Sequence, residues 1–198
     1  MNKDNQDYIL KNYPQISFAN EKMKKHSTFG VGGPAKVLLL PKKEIEVKNI
    51  LRYCKNKKIN TCFIGSGSNL LFSNEGFNGV IISLKRAFKN LEVSDDGSIK
   101  VGSGVMLVKM VAKAIKNNIK GLESLSGVPG TLGGALYMNA GAYGAEISNY
   151  FISARLLDVN GGEVILTNND ISFSYRKSTF PQNYILVEAS FKCEKGDM

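Results

Sequence analysis

The sequence predicts an α+β protein of two lobes. Short apolar runs bounded by turn residues recur along the chain, and two segments between them carry apolar residues at helical spacing. The first of these segments lies between two strand-like runs, the pattern of a β-α-β unit. With 198 residues, 43% hydrophobic and 22% charged, the chain can build one large domain or two small lobes.

In chain order, AKVLLLP at 35–41 reads as a short buried strand stopped by Pro41. Val47, Ile50, Leu51 and Cys54 then fall at i, i+3, i+4 and i+7, one face of an amphipathic helix. TCFIGSGSN gives a strand running into a Gly/Ser/Asn turn, which completes a β-α-β unit over 36–65. SNLLFSNEGFNGVIISL reads as short strands, of which GVIISL at 79–84 is the clearest. LEVSDDGSIKVGSG is a hairpin turning at Asp96-Gly97. Val108, Val111, Ala112 and Ile115 mark the apolar face of a second helix, which ends where Asn118 or Gly121 can take the left-handed cap conformation. FISARLLDVNGGEVILT is a hairpin turning at 160–162, and YILVEASFKC is a last strand. An N-terminal extension and the β-α-β lobe therefore occupy residues 1–84. An antiparallel sheet with packed helices occupies 85–198.

No apolar run approaches the roughly 18–20 residues of a membrane span, and MNKDNQDYILKNYPQ lacks the apolar core of a signal peptide. Three cysteines, at 54, 62 and 193, fit neither a disulfide framework nor a metal-ligand spacing. The expectation is a reduced, cytoplasmic, monomeric protein without a metal. His26 is the single histidine, so Ser-His or Cys-His catalysis would rest on it alone, and nothing in the sequence supplies the third group that positions such a base.

The net charge of +9 is uneven. Residues 1–60 hold 13 Lys and Arg against 5 Asp and Glu, whereas 61–198 hold 13 against 12. The excess is nearly all lysine and reads as the solvated face of a helix. Only Tyr53 interrupts it, which argues against a nucleic-acid surface with interleaved aromatics. Attraction of anionic small molecules is the milder reading.

Two glycine loops stand out. GSGSNLL at 65–71 follows a strand but lacks the third glycine and the helix of a dinucleotide fingerprint, and no G-K-[ST] follows. It offers consecutive backbone amides with Ser66, Ser68 and Asn69 as side-chain donors, a nest for a phosphate. Alone, it reads equally as a tight strand-to-strand turn. SGVPGTLGGALYMNAGAYG at 126–144 holds six glycines in nineteen positions, with Tyr137, Asn139 and Tyr143 among them. Helical packing of small residues does not explain those neighbours. A planar ligand lying against the backbone does, with Asn139 and amides as hydrogen-bonding groups. Two such loops on different lobes suit an extended ligand such as a dinucleotide.

Four motifs in order resemble the UDP-N-acetylenolpyruvoylglucosamine reductase family: HSTFGVGGPAKVLLLP at 26–41, GSGSNLL with GVIISL, SGVPGTLGGALYMNAGAYG, and FSYRKSTF at 173–180. The resemblance covers roughly residues 20–195. It implies a two-lobed FAD-binding domain of the vanillyl-alcohol oxidase/PCMH type, with non-covalent FAD lying between the lobes. It also implies NADPH-dependent reduction of the enolpyruvyl sugar nucleotide to UDP-N-acetylmuramate. Gly65, Ser66, Gly67, Ser68, Asn69 and Leu70 would cradle the FAD pyrophosphate. Ser126, Gly127, Val128, Pro129, Gly130, Gly133 and Gly134, with Asn139, Ala140, Gly141, Ala142 and Tyr143, would line the flavin. Arg176 would bind the substrate carboxylate and stabilise the enolate-like transition state, a role suited to a fixed planar cation, with Tyr175 shaping the site. The residues alone would read Arg176 as a surface arginine at a strand start.

The family's proton-donating serine and a late glutamate belong to a C-terminal substrate domain. The sequence ends at Met198 with no such domain, so the expectation is a truncated form that binds FAD without completing the reaction. A flavin oxidase of the same fold is the nearest alternative, disfavoured because His26 and the cysteines lie outside the glycine loops. A basic nucleic-acid-binding module is the alternative from another class.

Overall fold

A computed structural model describes residues 1–196. The chain divides into two compact units, Met1–Ala87 with Val159–Gly161, and Phe88–Asp158 with Gly162–Met198.

The first unit contains α1 (Lys3–Asn12), β1 (Ser17–Lys22), β2 (Pro34–Leu39), α2 (Glu44–Asn56), β3 (Thr61–Ile64) and β4 (Phe77–Ser83). Its sheet has the order β1-β2-β4-β3. β2 and β3 both run parallel to β4, which lies between them, so β2-α2-β3 is a crossover unit spanning an inserted strand. The face predicted for α2 is the buried one: Val47, Ile50, Leu51 and Cys54 all lie inside. Glu46 caps that helix by accepting from the amides of Lys42 (2.7 Å) and Lys43 (3.0 Å). β4 is buried on both faces, with Val80, Ile81 and Ile82 at 0% exposure, as a strand with parallel partners on both sides requires.

Two features depart from the sequence expectation. The polar N-terminus forms α1, capped by Asn2, whose side chain accepts from the Asn5 amide. It is held by a tertiary contact that periodicity cannot show: Tyr8 stacks on Tyr53 at 4.2 Å, and the Tyr53 hydroxyl donates to Asn5 Oδ1. The short strands expected in SNLLFSNEGFN do not form before Phe77. Carbonyls of this stretch accept instead from the 27–33 segment, as in Gly33 N to Ser73 O at 2.8 Å.

The second unit contains β5 (Leu91–Val93), β6 (Ser98–Gly102), α3 (Leu107–Lys116), β7 (Ile119–Lys120), α4 (Leu132–Tyr137), β8 (Gly141–Ala142), β9 (Ala145–Glu146), β10 (Phe151–Leu157), β11 (Glu163–Thr167), β12 (Phe173–Ser174), β13 (Lys177–Ser178), β14 (Ile185–Lys192) and β15 (Glu194–Lys195). Its main sheet, β11-β10-β14-β6-β5, is antiparallel throughout. The hairpin expected at Asp96-Gly97 is β5-β6, with Gly97 at φ +85°. Asn118 and Gly121 both adopt positive φ after α3. Phe151 is the hub of an aromatic cluster, meeting Phe173, Phe180 and Phe191 edge-on at 5.4–6.1 Å between centroids. Phe173 and Phe180 bracket the β12-β13 hairpin and anchor both its ends in this core.

The face predicted for α3 is corrected. Val108 and Ile115 are each 47% exposed and Ala112 faces solvent, while Leu107, Met110, Val111 and Ala114 are buried. The segment carries two overlapping i, i+3, i+4, i+7 sets that share Val111. The set beginning at Leu107 holds the bulkier residues, and burying it removes more apolar area from water. Among the described residues no helix is long and apolar enough to cross a membrane.

The corrected face is testable by urea denaturation. Met110→Ala should cost about 2–5 kcal/mol, whereas Val108→Ser and Ile115→Ser should each stay within about 0.5 kcal/mol of the parent.

Candidate functional site

The 65–70 loop of the first unit leaves β3 and spends its carbonyls on the protein. Gly65 O accepts from Ser83 Oγ (3.0 Å), Gly67 O from the Thr28 amide (3.1 Å), and Leu70 O from Ser27 Oγ (2.7 Å). Its amides are treated differently: among the described residues, those of Ser66, Gly67, Asn69 and Leu70 donate to no protein acceptor. Ser66 Oγ is buried without a partner. Clustered backbone amides without a protein acceptor are the donors from which an anion-binding nest is built. Gly67 is required by the fold itself, since it adopts φ +78° and a methyl there would sit 1.9 Å from the His26 carbonyl oxygen. Its bareness serves the approach of two backbones.

His26 Nε2 lies 3.0 Å from Glu21 Oε1, and Lys25 Nζ lies 3.4 Å from the same oxygen. The third group that the sequence did not reveal is therefore Glu21. The hydrogen bond to His26 is the main cause holding the Glu21 carboxyl below its ordinary pKa, with Lys25 adding to it. His26 Nδ1 is buried without a partner.

In the second unit, residues 123–127 form a 3-10 turn, and Gly130 at φ +128° leads into α4. Leu125, Leu132 and Leu136 are fully buried and fix the stretch to the core. The Leu107 amide donates to Gly130 O (2.9 Å), Leu132 N to Val105 O (2.8 Å) and Gly133 N to Ser103 O (2.9 Å). The glycines divide by what a side chain would meet. A methyl at Gly133 would lie 3.2 Å from Ser103 Cβ, so that glycine lets α4 approach the 103–105 backbone. A methyl at Gly127 would meet nothing within 4 Å, and one at Gly134 only Thr131 Oγ1 at 3.8 Å. Nothing in the protein's own packing demands a glycine at those two positions. Ser126 and Pro129 are exposed and Val128 is half-buried.

Beyond α4, Asn139 is fully buried at φ +42°, and its side chain is committed within the protein. Nδ2 donates to Glu146 Oε2 (2.6 Å) and to Ser174 O (3.1 Å), while Oδ1 accepts from the Ser148 amide (3.3 Å). Ala140 is buried, and Gly141 and Ala142 form β8 at half-burial. Tyr143 and Gly144, at φ +52° and +83°, make the two-residue turn of the β8-β9 hairpin. A tyrosine in this conformation is uncommon, and Tyr143 is 97% exposed. Tyr137, in α4, is a structural residue: burial pushes its phenol up to about 12, and its hydroxyl faces the Pro181 and Tyr184 carbonyls.

Tyr175 and Arg176 form the turn of the β12-β13 hairpin, with Arg176 at φ +55°. Both are exposed, and the Arg176 guanidinium lies over the Tyr175 ring at 4.9 Å. A methyl at Gly141 would sit 3.2 Å from Arg176 Nη1. The structure thus brings Asn139, Gly141 and Arg176 into one neighbourhood.

Sequence reasoning missed Ser103 and Ser124, whose buried hydroxyls have no partner. The signal for Ser103 was present: Gly102-Ser103-Gly104 is a glycine-flanked serine directly after a strand, as in Gly65-Ser66-Gly67.

The FAD-binding domain family matches residues 35–168. The chain belongs to this FAD-binding family. It is 43% identical to UDP-N-acetylenolpyruvoylglucosamine reductase of Clostridioides difficile (strain 630) over 180 residues, covering 90% of this chain and 59% of that protein. The crystal structure of the same reductase, MurB, from Thermus caldophilus superposes with a TM-score of 0.73 at 27% identity, covering 91% of this chain and 62% of that one. Alkyldihydroxyacetonephosphate synthase shares the fold alone, with a TM-score of 0.71 at 19% identity over 98% of this chain and 41% of that one. The resemblance drawn from the four motifs is borne out, as is the two-lobed FAD-binding fold, and the chain spans about three-fifths of the length of the reductases it matches.

Two outcomes check the first loop. Gly67→Ala should destabilise the chain by about 1–3 kcal/mol in urea denaturation, because the left-handed backbone and the His26 carbonyl both oppose a Cβ. The Glu21 pKa is lowered on folding, so its stabilisation is complete above the unfolded value near 4.5 and is lost as pH falls through the folded value. Glu21→Gln should therefore flatten the fall in melting temperature below about pH 4.5.

Proposed function

We propose that this chain is the FAD-binding part of a UDP-N-acetylenolpyruvoylglucosamine reductase. The activity is NADPH-dependent reduction of the enolpyruvyl sugar nucleotide to UDP-N-acetylmuramate in peptidoglycan precursor synthesis, in the cytoplasm and as a monomer. The observation that carries the proposal is the 43% identity to such a reductase over 90% of the chain, within a family match to FAD-binding domains.

The residues fit the cofactor. The amides of Ser66, Gly67, Asn69 and Leu70 and the unpartnered Ser66 hydroxyl suit a pyrophosphate, which needs several donors. Residues 126–134 suit the flavin side, because Gly127 and Gly134 present bare backbone to open space. The backbone and small side chains of residues 139–143 continue that lining, while the Asn139 amide group holds the loop. When bound, FAD supplies hydride transfer from NADPH to the substrate double bond. We take the two units as the two FAD-binding lobes.

Arg176 is assigned the substrate carboxylate. Its guanidinium is permanently charged, presents paired donors, and lies over the Tyr175 ring. A fixed cation at the carboxylate favours the form in which negative charge builds next to it during reduction. No serine of this chain is assigned as proton donor. Covalent flavin attachment, the hallmark of many oxidases of this fold, is not favoured: His26 is engaged by Glu21, and burial pushes the Cys54 and Cys193 thiols up to about 12 and 11.

The test is direct. The purified chain mixed with FAD should show the visible bands of bound oxidised flavin and melt at higher temperature; a colourless chain that takes up no FAD would reject the proposal. Gly127→Leu and Gly134→Leu should keep the parent's melting temperature without FAD and bind it at least about tenfold more weakly, about 1.4 kcal/mol. In a reductase of full family length, Arg176→Lys should lose most sugar-nucleotide reduction while NADPH still reduces the flavin.

A further inference from the structure

The β12-β13 hairpin carries Arg176 at its turn and is only two paired residues long on each side. A hairpin that short does not hold its own shape in water. Its turn is also costly, since Arg176 occupies a left-handed conformation with a full side chain. Something outside the hairpin must fix it.

Phe173 and Phe180 anchor its two ends in the core, and two hydrogen bonds tie its strands to the exit of α4. Asn139 Nδ2 donates to Ser174 O on the strand entering the turn, and Ser178 Oγ on the strand leaving it donates to Tyr137 O at 2.9 Å. Asn139 is a rigid donor for three reasons. It is completely buried, its second Nδ2 hydrogen is taken by the Glu146 carboxylate at 2.6 Å, and its Oδ1 accepts from the Ser148 amide. Its own backbone is tied by Asn139 N to Leu136 O at 3.2 Å. Gly141, two residues on, is a glycine for its own hairpin first: a Cβ there would meet Ala145 O at 2.7 Å, then Glu146 Cγ at 3.0 Å and Arg176 Nη1 at 3.2 Å.

We infer that Asn139 is a positioning residue for Arg176. Asn139, with Ser178 as the second tie, clamps the Arg176 hairpin. The role of the Asn139 side chain is then to fix the arginine, with no contact to cofactor required. The functional meaning of this clamp rests on the assignment of Arg176 to the substrate.

The clamp is read on the FAD-loaded chain by the rate of tryptic cleavage after Arg176, followed by mass spectrometry. Cleavage requires the turn to leave its bracket. Asn139→Ala should raise that rate about tenfold, and Ser178→Ala should raise it in the same direction. Unchanged cleavage in a folded Asn139→Ala chain would overturn the inference; if that variant does not fold, unchanged cleavage in Ser178→Ala overturns it instead. In a reductase of full family length, re-oxidation of reduced flavin by the enolpyruvyl sugar nucleotide gives the second arm. Asn139→Ala should slow it in the parent and add little in an Arg176→Ala background, because it acts through the arginine. Full additive losses would overturn the inference. If Arg176→Ala itself leaves re-oxidation intact, the assignment of the arginine fails while the proteolysis result still decides the clamp.

Discussion

A glycine-rich backbone holds one shape only where the surrounding protein ties it down, and this constraint organises both candidate loops. In the first unit, three carbonyls of residues 65–70 accept from Ser83, Thr28 and Ser27. In the second, Gly130 O accepts from Leu107, and the first amides of α4 are tied to Val105 and Ser103. Each tie orders backbone that glycine would otherwise leave free, and glycine has the most conformational entropy to lose. Ser83 at the end of β4 and Leu107 at the start of α3 supply two of these ties, and the connecting segments at 27–28 and 103–105 supply the others.

Much of the fold was legible because it rests on local patterns. The four buried residues of α2 follow from spacing alone, and so do the turns at Gly97 and 160–162. Where legibility failed, a nonlocal term had decided. α3 offers two equivalent apolar stripes, and only the packing volume available to Leu107 and Met110 chooses between them. α1 has one buried residue, Ile9, and owes its place to the Tyr8-Tyr53 stack, forty-five residues apart in sequence. No window of local sequence contains that contact.

The candidate site was legible as composition and less so as roles. Glycine marks both loops, yet the structure separates three reasons for it: a left-handed backbone pressed on a carbonyl at Gly67, helix approach at Gly133, and bare surface at Gly127 and Gly134. A sequence shows the same letter for all three. Asn139 stands among small residues as a ligand donor would, but its amide is spent on Glu146, Ser148 and Ser174. Ser103 and Ser124 escaped notice because a serine is conspicuous only when it is buried and unpartnered.

The position of β14 has a consequence for how the protein is made. This strand, Ile185–Lys192, is among the last described segments to leave the ribosome, yet it is the middle strand of the second unit's sheet. Until it arrives, β10-β11 and β5-β6 are separate hairpins, each with an unpaired inner edge. The sheet of the first unit contains nothing beyond Ser83 and can close early in synthesis. Nascent chains stalled before residue 185 should therefore be the species most in need of a chaperone, with one sheet finished and the other waiting for its centre.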